Sequence, residues 1–415
     1  MVALVGELYF YTMKIFQNCI GNDVKIFGSI CEDEALRQVQ KLADFEPYRE
    51  SHIRIMPDVH AGKGCTIGTT MWLDDAVTPN LVGVDIGCGM YVVPLGKVDI
   101  DLEKFDKVVN ERIPSGFNIH EKPQTLFFGL YLLYCRESID LDMAQRSIGS
   151  LGGGNHFIEL NEDDKGYKYL VIHSGSRNLG VRVCGHYQRI AERNCDPKRE
   201  DRAKVIADLK AQGRESEIQS ALKALKSDKV DKDLAYLQGT DMDAYLHDMD
   251  IAQKYAMLNR ETIANLILSE FTEILGNTTE QPFHTIHNYI EIGVIGRKPM
   301  LRKGAVSAYK GERLIIPMNM RDGSLICICK GNIDWNCSAP HGAGRLMSRK
   351  KAKETISMAE FEKTMDGIYS TSVCEDTLDE APQVYKPMQS ILDAIGDTVE
   401  IEKIIKPIYN FKAKN

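Results

Sequence analysis

A chain of 415 residues with 43% hydrophobic and 27% charged side chains has an ordinary globular composition, enough for a sizeable core in one large domain or two. Its formal net charge of -8 gives no global attraction for nucleic acid, so a polyanion has to be held by a local basic surface. No apolar run has membrane-spanning length, the opening segment (with Met13 as an alternative start) reads as no signal peptide, and eleven cysteines without export signals point to reduced thiols in the cytoplasm.

Residues 24–27 read as a short strand and EDEALRQVQKLADF as an amphipathic helix. Residues 52–56 then read as a strand and 57–68 as a glycine-bearing loop. Asp58, His60 and Lys63 sit on that loop, where functional side chains concentrate. The plainer alternative is a turn in which Asp58 caps local amides. In LVGVDIGCGM (81–90), Val82, Val84 and Ile86 alternate with Gly83, Asp85 and Gly87, which predicts the end of a buried strand. Asp85 and Cys88 are potential metal ligands there; the alternative is an amide-capped acid beside an inert thiol.

Residues 99–145 read as a helix or two and a loop holding Pro114 and Pro123. In SIGSLGGGNHFIEL, glycines precede Asn155-His156 and an apolar strand resumes. Such a turn offers N–H groups to phosphate but lacks the Walker lysine and the Rossmann spacing. YLVIHSGSRNLG predicts a strand delivering His173. Residues 182–275 read as helical, with Arg182, Arg189, Arg193, Arg199 and Arg202 early in the run; the plainer reading is a solvated helical face, the alternative a basic surface for nucleic acid together with Arg345 and Arg349. FHTIHNYIEIG carries His284 and His287, and residues 295–331 read as a meander of short strands. His341, before Gly342-Ala343-Gly344, reads as opening a basic helix. That setting attracts phosphate and leaves a neutral, nucleophilic ring nitrogen.

Asp85, Cys88, His156, His173 and one of His284 or His287 offer ligands for one or two divalent ions, zinc or a manganese pair. With His341 beside them, the residues point to a metal-dependent enzyme acting on phosphate groups.

PDVHAGKG, GVDIGCGM, GGGNHFIEL, HSGSRNLG, HNY, RKGAVSA and HGAGRLMSR, in this order, resemble the RtcB family of RNA ligases from about residue 50 to the C-terminal lysines. The resemblance implies joining of RNA 3'-phosphate or 2',3'-cyclic phosphate ends to 5'-hydroxyl ends with GTP and two Mn²⁺ ions, so zinc yields to manganese. It implies Asp85, Cys88, His156, His173 and His287 as metal ligands, with Cys88 bridging, and His341 as the guanylylated residue. Asn155, His156, Phe157, Ile158, Glu159, His287, Asn288, Pro317, Met318, Asn319, Met320, Ser324, His341, Gly342, Ala343, Gly344, Tyr385 and Lys412 would surround the guanylate. Where many members read IPGSMG this chain has Met318-Asn319, and Asn319 is expected still to hydrogen-bond phosphate or ribose. The expected fold is one mixed α/β (α+β) domain, residues 1–415, with a helical insertion about 185–275. It would act as a cytoplasmic monomer, with an activating helper protein left open. A metal-dependent phosphoesterase and a non-catalytic RNA-end binder are the competing readings.

Overall fold

The computed structural model describes residues 14–17, 23–28, 31–196, 198–224, 231–274, 276–292 and 298–413. The opening segment with Met13, residues 225–230 of the helical run, residues 295–297 of the meander and the side chain of Arg199 lie outside this description. Strands β1 (Lys14–Gln17) and β2 (Asp23–Ile26) precede α1 (Asp33–Ala43); β3 (Ile53–His60), β4 (Ile67–Trp72) and the single turn α2 (Pro79–Val82) follow. Next come β5 (Gly89–Gly96), α3 (Leu102–Arg112), α4 (Leu141–Ser147) and the hairpin of β6 (Phe157–Glu162) and β7 (Lys168–Ser174). The helical stretch holds α5 (Arg177–Asn194), α6 (Arg199–Ala211), α7 (Ile218–Ala224) and the 30-residue α8 (Gly239–Leu268). The meander comprises β8 (Phe283–Ile286), β9 (Asn288–Glu291), β10 (Met300–Lys303), β11 (Ala305–Ser307), β12 (Arg313–Asn319) and β13 (Gly323–Cys329). After β14 (Ser338–Pro340) come α9 (Arg349–Thr355), α10 (Met358–Thr364), α11 (Met388–Ile395) and the long β15 (Val399–Lys412).

The architecture is mixed α/β. One sheet runs β1-β2-β3-β4-β10-β9, a second runs β12-β13-β15-β6-β7-β5-β8, and β11 pairs with β14 between them. Among these pairings β2–β3 is parallel and the rest are antiparallel. β15 lies in the interior of the larger sheet, joining β13 to β6.

Helix α8 links two cores. Its first two-thirds bury Tyr245, Met249 and Tyr255 with α1, β3 and α5, and its last third buries Ile263 and Ile267 against α3, β6 and β7. Each such side chain taken out of water contributes roughly 2 kcal/mol. Among the described residues no helix is long and apolar enough to cross a membrane.

Two expectations are corrected here. Residues 81–88 are not a strand end. Pro79 starts one helical turn, Gly83 (φ 94°) and Gly87 (φ 69°) turn the chain in conformations that side chains disfavour, and Val84 faces solvent. The strand begins only at Gly89. Conversely, Pro57 and Asp58 belong to β3 rather than to a loop, and its register with β4 is interrupted between Ile55 and His60.

Candidate active site

The larger sheet explains how ligands far apart in sequence meet. β6, β7, β5 and β8 are neighbours, and antiparallel pairing puts the start of β6, the end of β7, the start of β5 and the end of β8 on one edge. His156 precedes β6, His173 lies opposite both Phe157 and Met90, Cys88 precedes β5, and His287 follows β8. Two backbone bonds latch the outer pair: the His287 N–H donates to the Cys88 carbonyl (2.9 Å) and the Gly87 N–H to that of Asn288 (2.8 Å).

The Cys88 Sγ lies 3.4 Å from His156 Nε2 and 3.2 Å from His173 Nε2, and Asp85 Oδ2 lies 3.0 Å from His156 Nε2. The donors form two groups that share Cys88, one with His173 and His287, the other with Asp85 and His156; within each group the atoms lie within 4.8 Å of one another. Asp85 packs against Gly175, where a Cβ would collide with its carboxylate. Burial and the neighbouring imidazoles hold His173 and His287 well below the usual histidine range, so both rings are neutral. Burial and the Asp85 carboxylate push the Cys88 thiol well up. Burial would also raise Asp85, but the His156 ring and the Cys88 thiol outweigh it and hold the carboxyl at about 2. His173 and His287 each keep a buried Nδ1 with no hydrogen-bond partner among the described residues. Sulfur, imidazole and carboxylate donors with uncompensated lone pairs suit one or two divalent ions, which would also ionise the thiol. His284 is not in this cluster; it stacks on Tyr91 and its Nε2–H donates to Glu261 (3.0 Å).

Helix α8 braces the cluster from below with residues that the sequence reading passed over. Arg260 Nη1 donates to the carbonyls of Gly87 and Ser174 (both 2.8 Å), next to Cys88 and His173. Asn259 accepts from the Gly149 N–H (2.8 Å) and donates to Ser150 O, Ser174 Oγ and Gly175 O. Polar residues at positions of the helical repeat that face the sheet were the available signal.

His341 follows β14, in a bend, and the helix expected to start there begins only at α9. A carboxylate, not a helix end, governs its ring. Asp58 is fully buried, and its Oδ2 accepts from the His341 Nδ1–H (2.6 Å) and from the His341 backbone N–H (3.1 Å). This bond selects the tautomer of the neutral ring, with the proton on Nδ1 and the lone pair on Nε2. The ring centroid lies 4.8 Å from that of His287, so His341 borders the donor cluster.

A cavity of about 480 Å³ opens beside His341 and reaches His173. Asn155, Phe157, Glu159, Pro317, Met318, Asn319, Met320, His341, Gly342, Ala343, Gly344, Tyr385 and Lys412 line it; His156, Ile158, His287, Asn288 and Ser324 do not. Ile158 is core, and Asn288 bonds Asp85 O and the Gly304 N–H. The Ser324 hydroxyl is buried and has no hydrogen-bond partner among the described residues. Burial raises Glu159 to about 7 against the amides of Asn161 and Asn410 that donate to it. Asn319 closes the β12–β13 turn: its Oδ1 accepts from the Arg321 and Asp322 N–H groups and its Nδ2 donates to Asp322.

Glu380, which no motif flagged, anchors this wall. Its buried carboxylate meets Lys412 Nζ (2.8 Å), Tyr385 OH (2.5 Å), Arg345 Nη1 (3.2 Å) and Arg349 Nη1 (2.7 Å). Burial would raise it, but Lys412 and the two arginines hold it at about 2. Arg349 also pairs with Asp379 (2.6 Å). Arg345 and Arg349, expected to join a basic track for RNA, are both paired with buried carboxylates, while Arg349 keeps 44% of its side chain exposed.

A sequence model of the family described as tRNA-splicing ligase RtcB matches residues 38–127 and 136–413. The chain is 31% identical to "RNA-splicing ligase RtcB1" of Escherichia coli strain ATCC 25922 and likewise to "RNA-splicing ligase RtcB" of E. coli K12, each over 90% of this chain and 93% of the relative. It is 26% identical to "tRNA-splicing ligase RtcB" of Nanoarchaeum equitans, over 92% of this chain and 91% of the relative. With a converging donor cluster, an oriented histidine and a family match over most of its length, the chain belongs to the RtcB family of RNA-splicing ligases.

Proposed function

We propose that this protein is a cytoplasmic RNA ligase of tRNA splicing or RNA repair. It joins RNA 3'-phosphate or 2',3'-cyclic phosphate ends to 5'-hydroxyl ends with GTP and two Mn²⁺ ions. The observation that carries the reading is the His341 ring, fixed by Asp58 between the donor cluster and the cavity with Nε2 free.

Asp85, Cys88, His156, His173 and His287 would hold the ions, with Cys88 common to both groups. When bound, the ions neutralise charge developing on the phosphates. The chain's own residues supply the rest. Asp58 keeps the proton on Nδ1, so Nε2 attacks the α-phosphorus of GTP; an N–P bond forms as the bond to pyrophosphate breaks. Asn155, Tyr385 and Lys412 border the space for the guanylate, and Glu159 offers its carboxyl group to the base. The guanylyl group then passes to an oxygen of the RNA 3'-phosphate, freeing His341. The 5'-hydroxyl oxygen attacks the activated 3'-phosphorus, GMP leaves, and the hydroxyl proton goes to solvent. A cyclic phosphate is first opened by water.

Incubation with GTP labelled at the α-phosphate, followed by denaturing electrophoresis, tests the reading. Label should stay on the protein and disappear in His341→Ala. A metal-loaded protein that opens cyclic phosphates but never takes label is a phosphoesterase instead.

A further inference from the structure

Phe117 and the stretch from Leu126 to Tyr134 expose apolar and aromatic side chains, on either side of the mostly polar residues 118–125. Phe117 is 102% exposed and Phe128 71%, with Leu126, Tyr131, Leu132 and Tyr134 all above half. The segment is nevertheless firmly held. Leu130, Leu133 and Cys135 are buried in the core, and the Tyr134 and Cys135 N–H groups donate to the buried Asp248 carboxylate on α8 (2.9 and 3.0 Å). The apolar side chains therefore project from a fixed scaffold.

This strip begins beside the glycine turn that precedes His156. Residues 114–116 pair with the glycine turn that delivers His156: Leu151 N–H donates to Pro114 O and Gly116 N–H to Gly152 O (both 2.9 Å). Arg177 closes the junction by donating to Gly116 O (2.8 Å). Farther out, His120 N–H donates to Arg146 O while Phe127 N–H donates to the side chain of Gln145. Adjacent residues of α4 thus hold both ends of the 120–127 excursion, which separates Phe117 from the Phe128–Tyr134 segment. The family match stops at residue 127 and resumes at 136, so the outer part of the strip has no counterpart in the family's sequence model.

We propose that the strip from Phe117 to Tyr134 is a stacking platform for single-stranded RNA, with Phe117 nearest the reacting end. The proposal rests on the RNA-ligase reading. Aromatic rings on a rigid surface accept any base face, and the local charge is balanced (Lys122 and Arg136 against Glu121 and Glu137), so attraction here comes from stacking rather than from phosphate pairing. A strand whose terminal phosphate reaches the cluster at His156 has its next bases beside Gly116 and Phe117.

The test uses the full chain and a fluorescein-labelled single-stranded RNA with 5'-hydroxyl and 3'-phosphate ends. Phe117→Ala should raise the RNA KM and the dissociation constant about tenfold, the usual effect of losing one base stack. Phe117→Trp should restore both and Phe117→Leu should not, since a ring rather than mere apolarity is required. Phe128→Ala/Tyr131→Ala/Tyr134→Ala should weaken long strands more than very short ones, by a factor independent of salt. Labelling of His341 by GTP, in which no RNA takes part, should stay at the wild-type rate in all variants. Unchanged RNA affinity in both Ala variants overturns the platform. So does light scattering that finds a wild-type dimer dispersed by these substitutions, since the strip would then bind a second copy. Absence of GTP labelling in the wild type counts against the ligase reading alone, because RNA affinity is measured separately.

Discussion

The floor and the wall of the cleft follow opposite electrostatic plans. On the floor, the donor atoms of Cys88, His173 and His287 converge within 4.8 Å of one another, and two ring nitrogens lack partners among the described residues. On the wall, Arg345, Arg349 and Lys412 are already matched by the buried carboxylates of Glu380 and Asp379. The floor gathers donors with lone pairs to offer, whereas the wall's charges are matched within the chain itself. Counting basic residues therefore overstates how strongly this wall attracts an anion; its cations are held for geometry.

The largest expected effect is on the floor. Cys88→Ala removes the one donor common to both groups, so manganese retained after desalting, read by elemental analysis, should fall at least tenfold and ligation should become undetectable. Chelation of the wild type should do the same and added Mn²⁺ should reverse it. Full metal content and full ligation in the variant would break the contrast.

His341→Ala separates the histidine from the floor. It should form no GMP adduct and join nothing from GTP, yet still join RNA that already carries a guanylylated 3'-phosphate. Asp58→Ala should retain the adduct but slow its formation about a hundredfold, through loss of the tautomer lock. Equal failure on pre-activated RNA would give His341 a second role, in proton transfer.

The wall should answer in stability and with a defined pH sign. Glu380 is held at about 2, against an ordinary 4.5, so its stabilisation is complete above 4.5 and fades as pH falls towards 2. Glu380→Gln should cost about 3 kcal/mol at neutral pH in denaturant unfolding, and the gap to wild type should narrow below pH 4.5. Glu159 has the opposite slope. Raised to about 7, it favours the folded state below 4.5 and loses that contribution as pH climbs through 7. Glu159→Gln should therefore gain on the wild type across that interval, by roughly 1–2 kcal/mol. Parallel pH profiles for the two variants would erase the distinction.

The smallest effect concerns Asn319. Because its amide closes a turn, Asn319→Ala should cost about 1 kcal/mol of stability while GTP affinity stays within about twofold, measured by calorimetry. A large loss of affinity would return Asn319 to the nucleotide.

What the sequence disclosed and what it hid have physical reasons. His173 on its apolar strand and the glycine turn before His156 were legible because strand periodicity and turn chemistry are local. LVGVDIGCGM misled because alternation cannot distinguish a strand from one helical turn followed by two left-handed glycines. His341 was recognised, but its partner lies 283 positions away on another strand, and no local rule links them. Glu380, Asn259 and Arg260 were missed for the same reason: an ion pair or a brace is a relation between segments, and composition reports only its members. Whether residues 185–275 are an insertion is a separate matter from position, since α8 supports the floor directly.

The interior place of β15 has a consequence for how the protein is made. Residues 399–412 are the seam between β12–β13 and the ligand-bearing strands β6, β7, β5 and β8. Until they leave the ribosome, β13 and β6 present open edges rich in Leu and Ile, the kind of surface that recruits neighbouring nascent chains. Closure then joins segments about 250 positions apart, a slow search that local helices cannot shorten. Production should therefore depend on chaperone supply and on temperature, with soluble yield rising when translation is slowed.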